Sequence, residues 1–131
     1  MKVLLVDDDQ ALQTVFSTAL KTDGFQIVNA YDGKSALDVA KTEKPDLILL
    51  DQVLPDIQGN EVLKTLKAEA ETANIPVAML SNFGQNDLIQ DAISAGALDY
   101  ILKYQVEPQD LVTKIKSLVG DQQPPPTAPQ Q

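Results

Sequence analysis

The sequence predicts an α/β protein: one five-stranded parallel sheet with helices on both of its faces. Three observations carry that expectation. Short apolar runs recur five times along the chain. They are continuous rather than alternating, which suits strands covered on both faces. Stretches with apolar residues at helical spacing separate them, so strand and helix patterns alternate.

Val3–Val6 is the first strand, ended by Asp7-Asp8-Asp9. Asp9 is placed to cap a helix whose inner stripe would be Ala11, Leu12, Val15, Phe16, Ala19 and Leu20. Gly24 closes that helix before a second strand, Phe25–Ala30. Asp32-Gly33 turns the chain into a weaker helical pattern over Ser35–Thr42. Pro45 and Pro76 stand at the entrances of the third strand, Leu47–Leu50, and the fourth, Val77–Leu80, where a missing N–H costs little. Glu61–Ala70 and Leu88–Ala95 are helical in period, and Gly96 ends the second of these before the fifth strand, Tyr100–Leu102. Pro108 suits the first turn of a last helix with Leu111, Val112, Ile115, Leu118 and Val119 on one stripe. Right-handed crossovers wind these βα units into an open sheet. Residues 1–120 are expected to form one domain, and Asp121–Gln131, DQQPPPTAPQQ, a Pro/Gln-rich disordered or polyproline tail.

Composition narrows the chemistry. The chain has 131 residues, enough for a single core, and ten Lys+Arg against 19 Asp+Glu give a net charge of −9. A surface that acidic repels phosphate backbones and anionic lipid, so neither nucleic acid nor membrane is an expected direct partner. There is no Cys and no His. Their absence removes disulfides, thiolate nucleophiles, Ser–His catalysis and a phosphohistidine on this chain. Carboxylates, hydroxyls and Lys remain, with oxygen-preferring cations as helpers. No apolar stretch approaches the roughly 20 residues of a membrane span. Met1-Lys2-Val3 leads into a strand and not into a signal peptide, so a cytoplasmic location is expected.

Two strands end in acid, the first at Asp7-Asp8 and the third at Asp51. In an open α/β sheet, functional groups collect beyond the carboxyl ends of the strands, where the strand order reverses. For an order 2-1-3-4-5 that point lies between strands one and three, about 4.8 Å apart, so the three acids would share a pocket. Carboxylates that close raise one another's pKa unless a cation is present. Mg²⁺ is the natural candidate, since it takes one or two carboxylates plus waters and a phosphate. Ser81 ends the fourth strand and Lys103 the fifth, converging on the same edge. A carboxylate nucleophile, a hard metal, a hydroxyl and an ammonium make a sensible site for phosphoryl transfer onto Asp51. Singly, each of these residues has a plainer explanation: a cap, a strand end, a solvated lysine. Their joint placement favours the site.

With these residues in view, the sequence resembles the receiver domains of two-component response regulators, in particular the stand-alone, single-domain kind. The resemblance covers Met1 to about Gly120 and rests on Val6-Asp7-Asp8, the segment from Leu47 through Asp51 and Pro55 to Gly59, Met79-Leu80-Ser81, and Asp99-Tyr100-Ile101-Leu102-Lys103. It implies a flavodoxin-like fold with strand order 2-1-3-4-5 and a phosphoryl group accepted on Asp51. It implies Mg²⁺ (or Mn²⁺) held by Asp8, Asp51 and the backbone carbonyl of Val53, with Asp7 acting through water. Ser81 and Tyr100 fall on the family's switch positions and Lys103 on its phosphate-binding lysine. The implied partners are a sensor histidine kinase or phosphotransfer protein, and a target protein met by the face of the fourth helix, fifth strand and fifth helix. The implied state is a monomer or a phosphorylation-dependent dimer. Such a domain is not a conventional enzyme: it promotes its own phosphorylation and slow dephosphorylation.

The chain departs from the family in two places. Asn82 follows the switch hydroxyl where a small residue is usual, and Tyr104 follows Lys103 where many receivers have Pro. A trans Lys103–Tyr104 peptide is expected, because cis before a non-proline costs about 2.5–4 kcal/mol. Two other functions compete. A degenerate receiver would bind partners without phosphorylation, but the four strand-end groups are present. A haloacid-dehalogenase-like phosphatase would use Asp7 as nucleophile, but Ala11 stands where that family wants Thr or Val.

Overall fold

The computed structural model describes residues 1–122. Its elements run β1 (Lys2–Val6), α1 (Gln10–Thr22), β2 (Gln26–Ala30), α2 (Gly33–Glu43), β3 (Leu47–Leu50), α3 (Gly59–Ala68), β4 (Val77–Ser81), α4 (Asn86–Ser94), β5 (Asp99–Leu102), a 3-10 turn (Lys103–Gln105) and α5 (Pro108–Gln122). The strands form one parallel sheet in the order β2-β1-β3-β4-β5. Sequence-based boundaries hold to within a few residues. Asp121 and Gln122, expected in the tail, continue α5, and residues 123–131 of the expected tail lie outside the described residues. No helix among the described residues is long and apolar enough to cross a membrane.

Alternate strand residues feed two apolar layers. Leu4, Val6, Ile48, Leu50, Val77 and Met79 pack against α2, α3 and α4 through residues such as Ala36, Leu63 and Ala92. Val3, Leu5, Leu47, Leu49, Ala78 and Leu80 pack against α1 and α5 through residues such as Phe16, Leu20, Leu111 and Ile115. Both faces of the three central strands are therefore dry, which is why their sequences are unbroken apolar runs. Asp9 caps α1, accepting from the Leu12 N–H at 3.1 Å, and Asp32 caps α2, accepting from Ser35 N–H at 2.7 Å. Gly24 and Gly96 take the left-handed conformations expected behind their helices, with φ of 97° and 108°.

The α1 stripe is the one element the pattern oriented incorrectly. Ala11 and Val15, expected inside, are exposed, Val15 by 50%. Gln13 and Ser17 take their place as buried residues. The reason is polar. The Gln13 amide donates to the carbonyls of Ala30 at 2.7 Å and of Leu5 and Asp7 at 3.0 Å. Asn29 of β2 completes the group by donating to Gln13 Oε1 and, at 3.1 Å, to Ser17 Oγ. Satisfying these buried groups rotates the helix away from the purely apolar solution. Gln13→Leu removes the buried amide that serves the Leu5, Asp7 and Ala30 carbonyls and one of the two acceptors of Asn29, and we expect it to cost about 2 kcal/mol. Urea unfolding should show a lower midpoint with an unchanged slope.

Candidate functional site

Register alone brings the acids together. Val6 and Leu50 are direct partners in the sheet, so the next residue of each strand, Asp7 and Asp51, leaves the rim beside the other. The Asp51 N–H donates to Val6 O at 3.0 Å, extending the ladder by one bond. Asp8 follows, exposed, and one carboxylate oxygen from each of Asp7, Asp8 and Asp51 lies within 4.8 Å of the others. On the far side, Ser81 pairs with Leu102, and Lys103 opens the turn just past β5. The Lys103–Tyr104 peptide is trans.

Lys103 ties the site together. Its Nζ lies 2.6 Å from Asp7 Oδ2 and 3.3 Å from Asp51 Oδ2, with the lysine side chain only 8% exposed. Asp7 Oδ1 accepts from the Asp9 N–H at 2.9 Å. Asp7 Oδ2 is buried and, apart from the adjacent ammonium, has no well-directed hydrogen-bond donor. Burial first, and then the charge of Asp7, push the Asp51 carboxyl up to about 6 against the opposing pull of Lys103. Three carboxylates, each with a hard oxygen within 4.8 Å of the others, form a set that suits Mg²⁺ or Mn²⁺. The acids and Lys103 line a cavity of about 220 Å³ together with Val53, Asn82 and Phe83.

Two of the sequence-selected residues stand back from this cavity. Ser81 is fully buried, and its Oγ accepts from the Phe83 N–H at 3.0 Å. Tyr100 is half-buried, and its hydroxyl donates to the Phe83 carbonyl at 2.6 Å. Burial pushes the Tyr100 hydroxyl up, its contact with the Ser81 hydroxyl pulls it back, and the Asp51 charge adds to the rise. Phe83 therefore links Ser81 to Tyr100 through its own backbone, a part that no side-chain pattern could announce. Gly59 was also not assigned a role from sequence. A Cβ there would lie 2.2 Å from Asp51 O and 2.7 Å from Gln52 Cα, and its N–H donates to Gln52 O at 2.7 Å. The peptide of Asp51 can rest on α3 only because that position has no side chain.

A family model described as the response regulator receiver domain matches residues 3–116. The chain belongs to this family. As a receiver domain it is 38% identical over 118 residues to the phosphate regulon transcriptional regulatory protein PhoB of Klebsiella pneumoniae, covering 90% of this chain and 51% of that protein. It is 36% identical over 102 residues to sporulation initiation phosphotransferase F of Bacillus subtilis, covering 78% of this chain and 81% of that one. The chain thus spans about half the length of the first relative and four fifths of the second. Among solved structures, a CheY-like response regulator receiver domain protein from Methanospirillum hungatei superposes with a TM-score of 0.86 at 29% identity, covering 92% of this chain and 94% of that one.

The raised Asp51 has a measurable consequence in the metal-free receiver. A carboxyl that holds its proton more tightly when folded than when unfolded favours the folded state less as it ionises, so its effect on stability is unfavourable above the folded value. Relative to Asp51→Asn, the wild-type domain in chelator should therefore lose stability as the pH rises from about 4 to about 7. Asp51→Asn should remove that loss and be the more stable protein at pH 7. Urea midpoints of the two proteins across this range check the sign, and added Mg²⁺ should restore the wild type.

Proposed function

We propose that this receiver domain is a phosphorylation-dependent signalling switch, with Asp51 the acceptor and a phosphohistidine on a sensor histidine kinase or phosphotransfer protein the donor. The observation that carries this reading is Lys103 seated between Asp7 and Asp51 at the floor of an open acidic cavity. An ammonium already bound to both acids can turn to an incoming phosphoryl oxygen without crossing solvent. The Asp51 carboxyl, at about 6, still lies below neutral pH, so the nucleophile is available without a general base.

In the transfer, one Asp51 oxygen forms the O–P bond as the donor's P–N bond breaks. The electron pair returns to the donor imidazole. Asp8, Asp51 and the Val53 carbonyl would hold the Mg²⁺, with Asp7 acting through water, and the ion supplies positive charge to the phosphoryl oxygens. Lys103 shares that task from the opposite side. Asn82 and Phe83 at the cavity mouth restrict the approach of donor and of hydrolytic water, which fits slow dephosphorylation.

The output follows from the same groups. Ser81 leaves the Phe83 N–H to donate to the phosphoryl group, and the segment carrying Phe83 shifts with it. Tyr100, held to the Phe83 carbonyl, moves with that segment, and the α4–β5–α5 face changes shape to engage or release a target protein. Differential contacts to the phosphoryl group need offset only a few kcal/mol for such a switch.

Treatment with acetyl phosphate and Mg²⁺ should give a phosphoryl adduct by intact-mass analysis, absent with chelator and absent in Asp51→Ala. An adduct of full yield in Asp51→Ala overturns the assignment. No adduct at all in the wild type, with no NMR response to beryllofluoride, favours a degenerate receiver that binds without phosphorylation. Tyr100→Ala should still accept the phosphoryl group but lose most of the beryllofluoride-induced shift changes on α4 and β5. Undiminished changes there would exclude Tyr100 from the coupling.

A further inference from the structure

Val53, whose carbonyl the reading above assigns to the metal, lines the acidic cavity. Val53 is 51% exposed, and its backbone contacts the Asp51 carboxylate. Its chain fixes it further: Val53 pairs with Gln58 in an isolated antiparallel bridge, making 53–58 a small hairpin. The base of that hairpin is clamped where Gly59 N–H meets Gln52 O at 2.7 Å. Its tip is Asp56, and the tip is tied to a different element. Asp56 Oδ1 accepts from Gly33 N–H at 2.7 Å and Oδ2 accepts from Lys34 N–H at 3.0 Å, the first two amides of α2.

We propose that Asp56 is a positioning residue for the metal site, holding the Val53 carbonyl in place by clasping the start of α2. Three further observations fit this role. Asp56 Oδ1 also accepts from the Ile57 N–H at 2.9 Å, so the carboxylate stiffens the hairpin tip as well as tethering it. The contact between tip and helix is close: a Cβ on Gly33 would lie 3.1 Å from Ile57 Cδ1 and 2.9 Å from Val62 Cγ2. The bonds from Gly33 and Lys34 hold the Asp56 carboxyl below the usual carboxylate range, so the clasp is an anion on a helix N-terminus. The division of labour at α2 separates this role from ordinary capping. Asp32 already serves the Ser35 amide from the N-cap position. Asp56 reaches across 22 and 23 residues of sequence to serve the two amides before it.

The inference rests on the assignment of Asp51 and its metal made above, and the test separates the two. Mg²⁺ is titrated by NMR into the intact wild-type chain, Asp56→Ala, Asp56→Asn and Asp32→Ala, at a temperature where all four are folded. Asp56→Ala should bind Mg²⁺ about tenfold more weakly, the size typical of losing an outer-shell support. It should also lose hydrogen-exchange protection across Val53 and Gln58 in chelator, a readout that involves no metal. Asp56→Asn keeps one acceptor for the helix amides and should recover part of both. Asp32→Ala removes the N-cap bond at the start of α2, and so loses stability, yet should keep wild-type Mg²⁺ affinity. Wild-type affinity in Asp56→Ala, or an equal loss in Asp32→Ala, overturns the positioning role. A wild-type chain with no response to Mg²⁺ overturns the metal assignment itself, and the positioning role with it.

Discussion

Charge crowding at one rim of the sheet governs this molecule. Asp7 and Asp51 emerge from neighbouring strands with no choice of distance, because the ladder that pairs Val6 with Leu50 sets it. Asp8 adds a third carboxylate within reach. Lys103 offsets part of the repulsion, and the Asp51 carboxyl is still pushed up to about 6. The site is thus held in tension by the fold, and any cation or cationic donor surface that enters relieves it. Function and instability arise from the same geometry.

The rest of the fold keeps that rim rigid. Leu5, Leu49, Leu50 and Met79 are completely inaccessible to water, so the strands behind the acids cannot slide without opening a void in one of the two apolar layers. Gly59 lets α3 press directly on the peptide of Asp51, and Asp56 ties the loop between them to α2. Lys103 arrives from β5 on the opposite side of the rim, so elements from both halves of the sheet meet at Asp51.

Legibility from sequence followed the physics of each feature. The strands could be read because burial on both faces demands continuous apolar runs, as at Leu47–Leu50. Asp7, Asp8, Asp51 and Lys103 could be read as neighbours because parallel strands deliver their final residues to one edge; Ser81, reached by the same rule, stands back from the cavity against the Phe83 amide. The face of α1 could not, because an apolar period tolerates a small rotation and the decision fell to Gln13 bonding the Ala30 carbonyl. The parts played by Gly59 and Phe83 were equally hidden. One acts by lacking a side chain and the other through its main chain, and neither leaves a pattern in residue type.

Phe83 illustrates what that concealment permits. Its amide hydrogen engages Ser81 and its carbonyl oxygen engages Tyr100, while the residue, 43% exposed, also lines the acidic cavity. Both bonds are made by the main chain, so neither depends on which side chain occupies position 83. In the switch proposed above, the ring at position 83 could thus be exchanged, larger or smaller, charged or neutral, to alter access to Asp51 while the main-chain bonds beneath it stay in place.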